Sequence, residues 1–138
     1  MERYLIENYG NCHKMVEYGF SWLKDQGGGV VVFPQKKNYY SVFNLRNENE
    51  FKQFETDCAN VEIRLLTARG GFTAKDKAVF LLYPTKEMFE SLENYSGAKS
   101  VLVLDWNGYF SREWKETYNP ELIPGGNKQV NFHTYKYV

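Results

Sequence analysis

The residues of this sequence best suited to chemistry are cations and glycines that stand just beyond apolar runs. Lys36, Arg69 and Lys86 each follow such a run, and Gly70 and Gly71 come directly after Arg69. Ammonium and guanidinium groups bind phosphate and carboxylate, and a glycine pair lets the backbone come close to a ligand. The amides at the start of a helix also favour negative charge. These residues predict a site for a small anionic ligand, for example a nucleotide.

Four other polar residues stand at the same kind of position and belong to the predicted ligand site: Thr67, Thr85, Asp105 and Asn107. Asp105 follows an apolar run directly, where α/β enzymes often place a nucleophile, a metal ligand or a ribose-binding carboxylate. Its alternative role, which we favour, is to close the Asp-Trp-Asn-Gly turn through a side-chain hydrogen bond. The alternative for the three cations is that they solvate helix ends and a surface loop, which is the simpler interpretation of one basic residue per loop.

The sequence offers no recognisable catalytic, metal or cofactor site, and we expect none of the three. His13 lies on the first predicted helix and His133 in the tail, away from the predicted strand ends. Cys12 and Cys58 fall on apolar helix stripes, which predicts buried thiols rather than a nucleophile or a zinc site. The glycines at 27–29 precede a strand, whereas a phosphate-cradling loop follows one. This order excludes a P-loop and a dinucleotide fingerprint.

An enzyme is nevertheless the alternative to a binding module. A small hydrolase or transferase would use Asp105 together with the loop of residues 67–71. Paired-carboxylate and two-metal chemistry lack support, because Glu62 lies within another predicted strand and Asp76 on a loop. We therefore predict a non-catalytic binding or regulatory module, with a protein–protein interaction module as a further alternative.

The element that must position these residues is a strand–helix–strand unit. Residues 79–83 form an apolar run that ends at Pro84, an amphipathic helical pattern follows, and residues 101–104 form a second apolar run. Runs that are apolar at consecutive positions are typical of parallel strands covered by helices on both faces. In such a sheet the ligand binds beyond the carboxyl ends of the strands, where the strand order reverses. The predicted site residues should therefore converge at that edge.

Two strand-to-helix junctions share one pattern, fifty positions apart. Residues 32–36 read Val-Phe-Pro-Gln-Lys, and residues 82–86 read Leu-Tyr-Pro-Thr-Lys. Proline at the first helical position loses no hydrogen bond, and the residue before it is held extended. Each junction therefore predicts a sharp switch from strand to helix. At the first junction the predicted helix begins at about residue 35. A duplicated unit and a coincidence of local need are both open explanations.

The rest of the chain completes a single domain of residues 1–138. Apolar residues at helical spacing predict an N-terminal helical segment over residues 1–26, interrupted near Gly10 and restarting with Asn11 as its cap. Asn47 predicts the cap of a helix that ends near residue 60.

The segments that follow alternate between strands, a loop and a last helix. The alternation within residues 61–67 predicts a strand nearer the sheet edge, and residues 68–77 predict a glycine-hinged surface loop. We expect Ser111 to be the N-cap of a short last helix. Residues 127–138 are predicted to form a C-terminal strand or arm. The predicted fold is a three-layer, Rossmann-like α/β domain with helices on both faces of a mainly parallel sheet of about four strands.

Composition narrows the classes of partner. The 17 basic and 17 acidic residues cancel, so nucleic acid and anionic membranes are not expected partners. No window approaches the ~20 apolar residues of a membrane span, and the acidic N-terminus does not resemble a leader, so we expect a cytoplasmic protein. Two cysteines with no paired spacing are consistent with a reducing compartment.

The aromatic content predicts self-association. The chain contains 11 Tyr, 10 Phe and 3 Trp residues, more than a core of this size usually needs. Amphipathic tyrosines at the rim of the core account for part of this surplus. Zero net charge and an aromatic tail after a Pro-Gly-Gly hinge favour a homo-oligomer in which residues 128–138 pack between chains. The alternative is that the tail folds onto its own sheet.

Overall fold

The computed structural model describes residues 1–7, 12–105 and 108–124, whose helices and strands form an α/β fold. The elements in chain order are β1 (Glu2–Glu7), α1 (Cys12–Asp25), β2 (Gly29–Phe33), α2 (Lys36–Val42), α3 (Glu48–Ala59), β3 (Ile63–Thr67), β4 (Ala78–Leu82), α4 (Lys86–Asn94), β5 (Ser100–Leu104), α5 (Ser111–Tyr118) and β6 (Glu121–Pro124). The predicted C-terminal strand or arm, residues 127–138, lies outside the described residues. Asn11, the predicted N-cap of the first helix, also lies outside them.

The strands form a single six-stranded sheet in the order β3-β2-β4-β5-β1-β6. Every neighbouring pair is parallel. The predicted parallel α/β fold is confirmed, with six strands in place of about four. β3 lies at an edge, as its alternating sequence predicted, and β4 lies inside the sheet with all five of its residues buried.

Helices cover both faces of the sheet. On one face α1, α2 and α3 pack against Ile6, Val31, Phe33, Phe80 and Leu104 among others. On the opposite face α4, α5 and the loop after β3 pack against Leu5, Val32, Val79, Leu81 and Val103 among others. Because both faces are buried, successive strand residues are apolar, which is the pattern the sequence showed.

The direction of each connection decides which face its helix covers. Connections that step toward β3, from β1 to β2 and from β2 to β3, run over the face of α1, α2 and α3. Connections that step toward β6, from β3 to β4 onward, run over the face of α4 and α5. A single crossover hand requires this division, since reversing the step reverses the face. α1 and α4 therefore cover opposite faces.

The N-terminal helical segment predicted for residues 1–26 is wrong in its first part. Residues Glu2–Glu7 form β1, and α1 begins only at Cys12. β1 lies between β5 and β6, where its backbone groups find partners on both sides. Leu5 and Ile6 are adjacent and both buried, one on each face. Leu5 matched the helical spacing by coincidence, and sheet pairing overrides it, whereas Val16, Phe20 and Leu23 form the buried face of α1 as predicted.

The two Pro junctions switch from strand to helix as predicted, but by a different local geometry. Each helix begins two residues after its proline, with Gln35 as N-cap of α2 and Thr85 as N-cap of α4. The prolines therefore precede the caps instead of occupying the first helical position. Tyr83 has φ of 51°, so the expected extended conformation before Pro84 is wrong there. Its N–H still bonds to the Leu104 carbonyl at 2.7 Å, which keeps the junction tied to β5.

The N-terminus of α3 confirms the predicted cap. Asn47 Oδ1 accepts a hydrogen bond from the Glu50 N–H at 3.0 Å. Glu50 Oε1 accepts from the Arg46 N–H at 2.9 Å, so the reciprocal bond of this capping box reaches one residue before the cap.

The connection from β3 to β4 crosses the sheet without a helix, as the sequence predicted for residues 68–77. Phe72 and Ala74 in this loop are buried against the sheet. Backbone bonds from Ala74 to Ser96 at 2.7 Å and from Asp76 to Gly97 at 2.8 Å hold the loop beside the end of α4. The loop therefore fills the place that a crossover helix usually takes.

Candidate functional site

A surface cleft of about 960 Å³ lies at the carboxyl ends of β2, β3 and β4. Six of the nine predicted site residues line it: Lys36, Thr67, Arg69, Gly70, Gly71 and Thr85. β2 sends its chain to one face of the sheet, whereas β3 and β4 send theirs to the other. Such a reversal opens the crevice in which open α/β sheets bind ligands. The volume lies within the usual range of small-molecule sites, roughly 300–1,000 Å³.

A tight turn of residues 68–71 forms one wall of this cleft. The Gly71 N–H donates to the Ala68 carbonyl at 2.9 Å, and Gly70 and Gly71 have φ of 74° and 87°. These angles are unfavourable for residues with a side chain, which explains the glycine pair. A Cβ on Gly71 would lie 3.6 Å from Ser91 Oγ, so the turn passes close over α4.

Lys36 is engaged by an acidic partner at the cleft wall. Its Nζ lies 2.9 and 3.0 Å from the two carboxylate oxygens of Glu48 and 4.6 Å from the centre of the Phe51 ring. The Tyr40 hydroxyl donates to the same carboxylate at 2.7 Å. The hydrogen bond to Glu48 raises the pKa of Lys36, and the bonds from Tyr40 and Lys36 lower the pKa of Glu48. Lys36 is thus less available to a ligand than its position in the sequence suggested.

Two exposed cations, Arg69 and Lys37, also line the cleft. Lys37 was not among the predicted site residues, although it directly follows Lys36 at the start of α2 and the second lysine of a Lys-Lys pair was an available signal. The cleft also contains Glu87. Since Lys36 is already paired with Glu48, Arg69 and Lys37 outnumber Glu87, and the local charge is positive although the whole chain is neutral.

The first turn of α4 splits the predicted residues between two surfaces. Thr85 lines the cleft, and its hydroxyl accepts from the Met88 N–H at 3.4 Å, while the Thr85 N–H faces Met88 Sδ at 3.4 Å. Lys86 lies on the far side of the helix, in a groove of about 220 Å³ between α4 and α5. Lys86 therefore faces away from the cleft that Thr85 lines.

Asp105 is fully buried at the end of β5 and does not line the cleft. Its Oδ2 accepts from the Ser111 N–H at 2.9 Å, so the carboxylate caps the N-terminus of α5. The sequence predicted Ser111 as the N-cap of α5, and this prediction is wrong. Ser111 is the first residue of α5, and Phe110 is the N-cap. Asn107 lies outside the described residues.

The cysteine and histidine that the sequence offered as alternatives lie away from the cleft. Cys58 is a free, buried thiol, and burial raises its pKa to about 12. His13 is exposed on α1 and lies 3.5 Å from Glu17. Within residues 1–7, 12–105 and 108–124 there is no group of three or more side chains suited to holding a metal ion. No helix among those residues is both long and apolar enough to span a membrane.

A second cavity, of about 580 Å³, adjoins the cleft on the other side of the 68–71 turn. Both cavities contact Thr67, Gly70, Gly71 and Ser91. The second cavity also contacts Arg64, Phe72, Thr73 and Tyr95, which the sequence did not single out. The surface between α4 and β3 therefore carries two neighbouring depressions, with the glycine turn between them.

Comparison with known proteins adds no functional assignment. No family model, no curated protein and no solved structure matches this chain. The geometry and charge of the cleft are therefore the basis for a functional proposal.

Proposed function

We propose that this protein binds a small anionic ligand in the cleft at the carboxyl ends of β2, β3 and β4. The carrying observation is that the Arg69-Gly70-Gly71 turn, Lys37 and the start of α4 line one cleft at a reversal of connection direction. Phosphate and carboxylate are the groups that a guanidinium recognises with two parallel hydrogen bonds.

The charge balance of the lining supports an anion over a cation or a neutral ligand. Lys36, Lys37 and Arg69 contribute positive charge, and Glu87 contributes one negative charge. Lys36 is already paired with Glu48, so Arg69 and Lys37 are the cations that a ligand would engage. Binding should weaken as salt is added, because these exposed charges are screened over about 10 Å at 0.1 M salt.

A hydrolase or transferase using Asp105 has less support. The bond from the Ser111 amide gives Asp105 a structural role as a helix cap, and its side chain is buried. A nucleophile or general base must reach the substrate. The binding module therefore remains the better proposal, and Asp105 is not assigned to the ligand.

The test is a thermal-shift screen against nucleotides and phosphorylated metabolites. A ligand at 100 times its dissociation constant adds about 2.7 kcal/mol to stability, which corresponds to about 9 °C in Tm for 138 residues. Arg69→Ala should weaken any hit about tenfold, since it removes a charge-assisted hydrogen bond. Arg112→Ala is the matched control, because Arg112 is also exposed but lines none of the cavities described above.

Two results would count against the proposal. The first is a panel of anions that leaves Tm unchanged. The second is a hit whose affinity falls equally in Arg69→Ala and Arg112→Ala, which would place the ligand elsewhere or make the attraction non-specific.

We also propose that the chain self-associates through its α5 and β6 side. Tyr109, Phe110, Tyr118 and Leu122 are large apolar residues exposed on this side, which supports an interface. Residues 128–138, predicted to pack between chains, follow β6 and lie outside the described residues. Light scattering on the full chain and on a chain truncated after residue 127 tests this. The proposal is contradicted if the full-length chain is a monomer at tens of micromolar, a concentration that corresponds to a free energy of association of roughly −6 to −7 kcal/mol.

A cytoplasmic location remains a prediction from the sequence.

A further inference from the structure

The two cavities lie on either side of the glycine turn and share Thr67, Gly70, Gly71 and Ser91 in their linings. Glu87 lines the first cavity, Ser91 lines both, and Tyr95 lines the second. Glu87 and Ser91 are four positions apart on α4, and Tyr95 follows the helix as its C-cap, so the three residues span about 12 Å. Inorganic phosphate would fill only one end of a strip of this length. A ligand that uses the whole strip needs two recognition groups.

The chemistry of the two ends differs. The first cavity contains the cations Arg69 and Lys37, which suit a phosphate group. The second contains Tyr95, whose side chain is 75% exposed, and the buried Phe72. A single exposed tyrosine is ordinary on a protein surface. Tyr95 differs because it lines a cavity that shares four lining residues with a cationic one.

Arg64 adds a hydrogen-bonding group at the aromatic end. It is exposed, it lines the second cavity, and the bond from its Nη2 to the Thr73 carbonyl is long at 3.4 Å. A guanidinium has five N–H donors, so most of them are free for a ligand. A flat ring with acceptors on its edge would stack on Tyr95 and accept from Arg64. A nucleobase has both features.

We propose that the ligand is a nucleotide, with its phosphate beside Arg69 and Lys37 and its base against Tyr95 and Arg64. The proposal rests on the anion-binding function given above and adds the class of ligand and its orientation. Ser91 and the backbone of the 68–71 turn then lie beside the sugar, between the two ends. Because stacking is the main contact to the base, the site should accept purines and pyrimidines alike.

Isothermal titration with adenosine monophosphate, uridine monophosphate and inorganic pyrophosphate tests the orientation. Tyr95→Ala should weaken both nucleotides by about tenfold and leave pyrophosphate unchanged, since stacking on one aromatic side chain contributes about this much. Tyr95→Phe keeps the ring and should retain wild-type affinity. Arg69→Ala should weaken all three probes. Asn94→Ala is the control for truncating an exposed side chain at the end of α4, because Asn94 directly precedes Tyr95 but lines neither cavity.

The possible outcomes separate this inference from the function it rests on. Pyrophosphate that binds through Arg69, with nucleotides binding no more tightly and Tyr95→Ala without effect, overturns the nucleotide proposal and leaves the anion site intact. If none of the three probes binds, both proposals fail. Nucleotide affinity that falls equally in Tyr95→Ala and Asn94→Ala would also overturn the orientation, because the effect would not be specific to the second cavity.

Discussion

Glu93 is expected to be the most sensitive polar residue on the face covered by α4 and α5. Its carboxylate accepts from Arg3 Nε at 2.9 Å, from Arg3 Nη2 at 2.6 Å and from Trp114 Nε1 at 2.8 Å. The guanidinium of Arg3 also lies 4.4 Å from the centre of the Tyr118 ring. One carboxylate thus joins β1, α4 and α5, and its hydrogen bond raises the pKa of Arg3.

The cost of Glu93→Gln can be bracketed from burial. The side chains of Arg3 and Glu93 are 23% and 9% exposed. Exposed ion pairs contribute about 0–1 kcal/mol, whereas breaking a buried pair costs about 3–5 kcal/mol. Glutamine keeps the volume and can still accept from Trp114 but removes the charge opposite Arg3. We therefore expect a loss of about 2 kcal/mol, which lowers Tm by about 7 °C at this chain length.

Urea denaturation of a double-mutant cycle with Arg3→Met measures the pair directly. Arg3→Met should cost more than the double variant, because it leaves a nearly buried carboxylate without its cation. Glu7→Gln is the matched control, since the Lys115–Glu7 pair also joins α5 to β1 at 3.0 Å but is 42% and 38% exposed. The reasoning is refuted if Glu93→Gln and Glu7→Gln cost the same, or if the coupling energy is below about 0.5 kcal/mol.

Three further expectations concern the opposite face. Gly19→Ala should lower the free energy of unfolding in urea by about 1–3 kcal/mol, because a Cβ there would lie 2.0 Å from the Phe80 ring. This loss should outweigh the helix preference of alanine over glycine, about 1 kcal/mol. A stabilised variant would contradict the packing. Stability should fall as pH rises above about 9, because the unfolded chain releases a thiol proton that buried Cys58 retains. Cys58→Ala should make this slope shallower in alkaline denaturation curves but not remove it, because burial also raises the pKa of Tyr39. An equally steep slope in that variant would assign the effect to other groups. Tyr39→Phe should lower the free energy of unfolding in urea by about 0.5–1.5 kcal/mol, because it removes a buried hydroxyl that contacts the Val31 and Leu66 carbonyls at 2.9 and 2.5 Å. An unchanged urea midpoint would show that these contacts do not stabilise the fold.

The local elements of this fold were largely readable from the sequence. Continuous apolar runs identified β2, β4 and β5, Asn47 identified the start of α3, and Gly70 and Gly71 identified a turn. Periodicity, caps and turn residues depend on neighbours within a few positions in the chain, so they are visible without the fold. The parallel α/β class followed from them.

Where the sequence failed, a distant partner decided the outcome. β1 is a strand because β5 and β6 flank it, although its own spacing suggested a helix. The helix across Gly19 was predicted correctly, but the reason for a glycine there, the Phe80 ring in the space of its missing side chain, was not visible in the sequence. Both contacts join residues far apart in the chain, and local propensity carries no information about them.

For the candidate site, the sequence determined which residues follow the strands, and the tertiary structure determined which of them share a cleft. The order β3-β2-β4 brings Arg69, Lys37 and Thr85 together, although the chain separates them widely. The same packing places Lys86 on another face of α4 and buries Asp105 under α5. Strand order and helix rotation follow from burying the largest apolar surface on both sides of the sheet, which is a property of the whole chain and not of any segment.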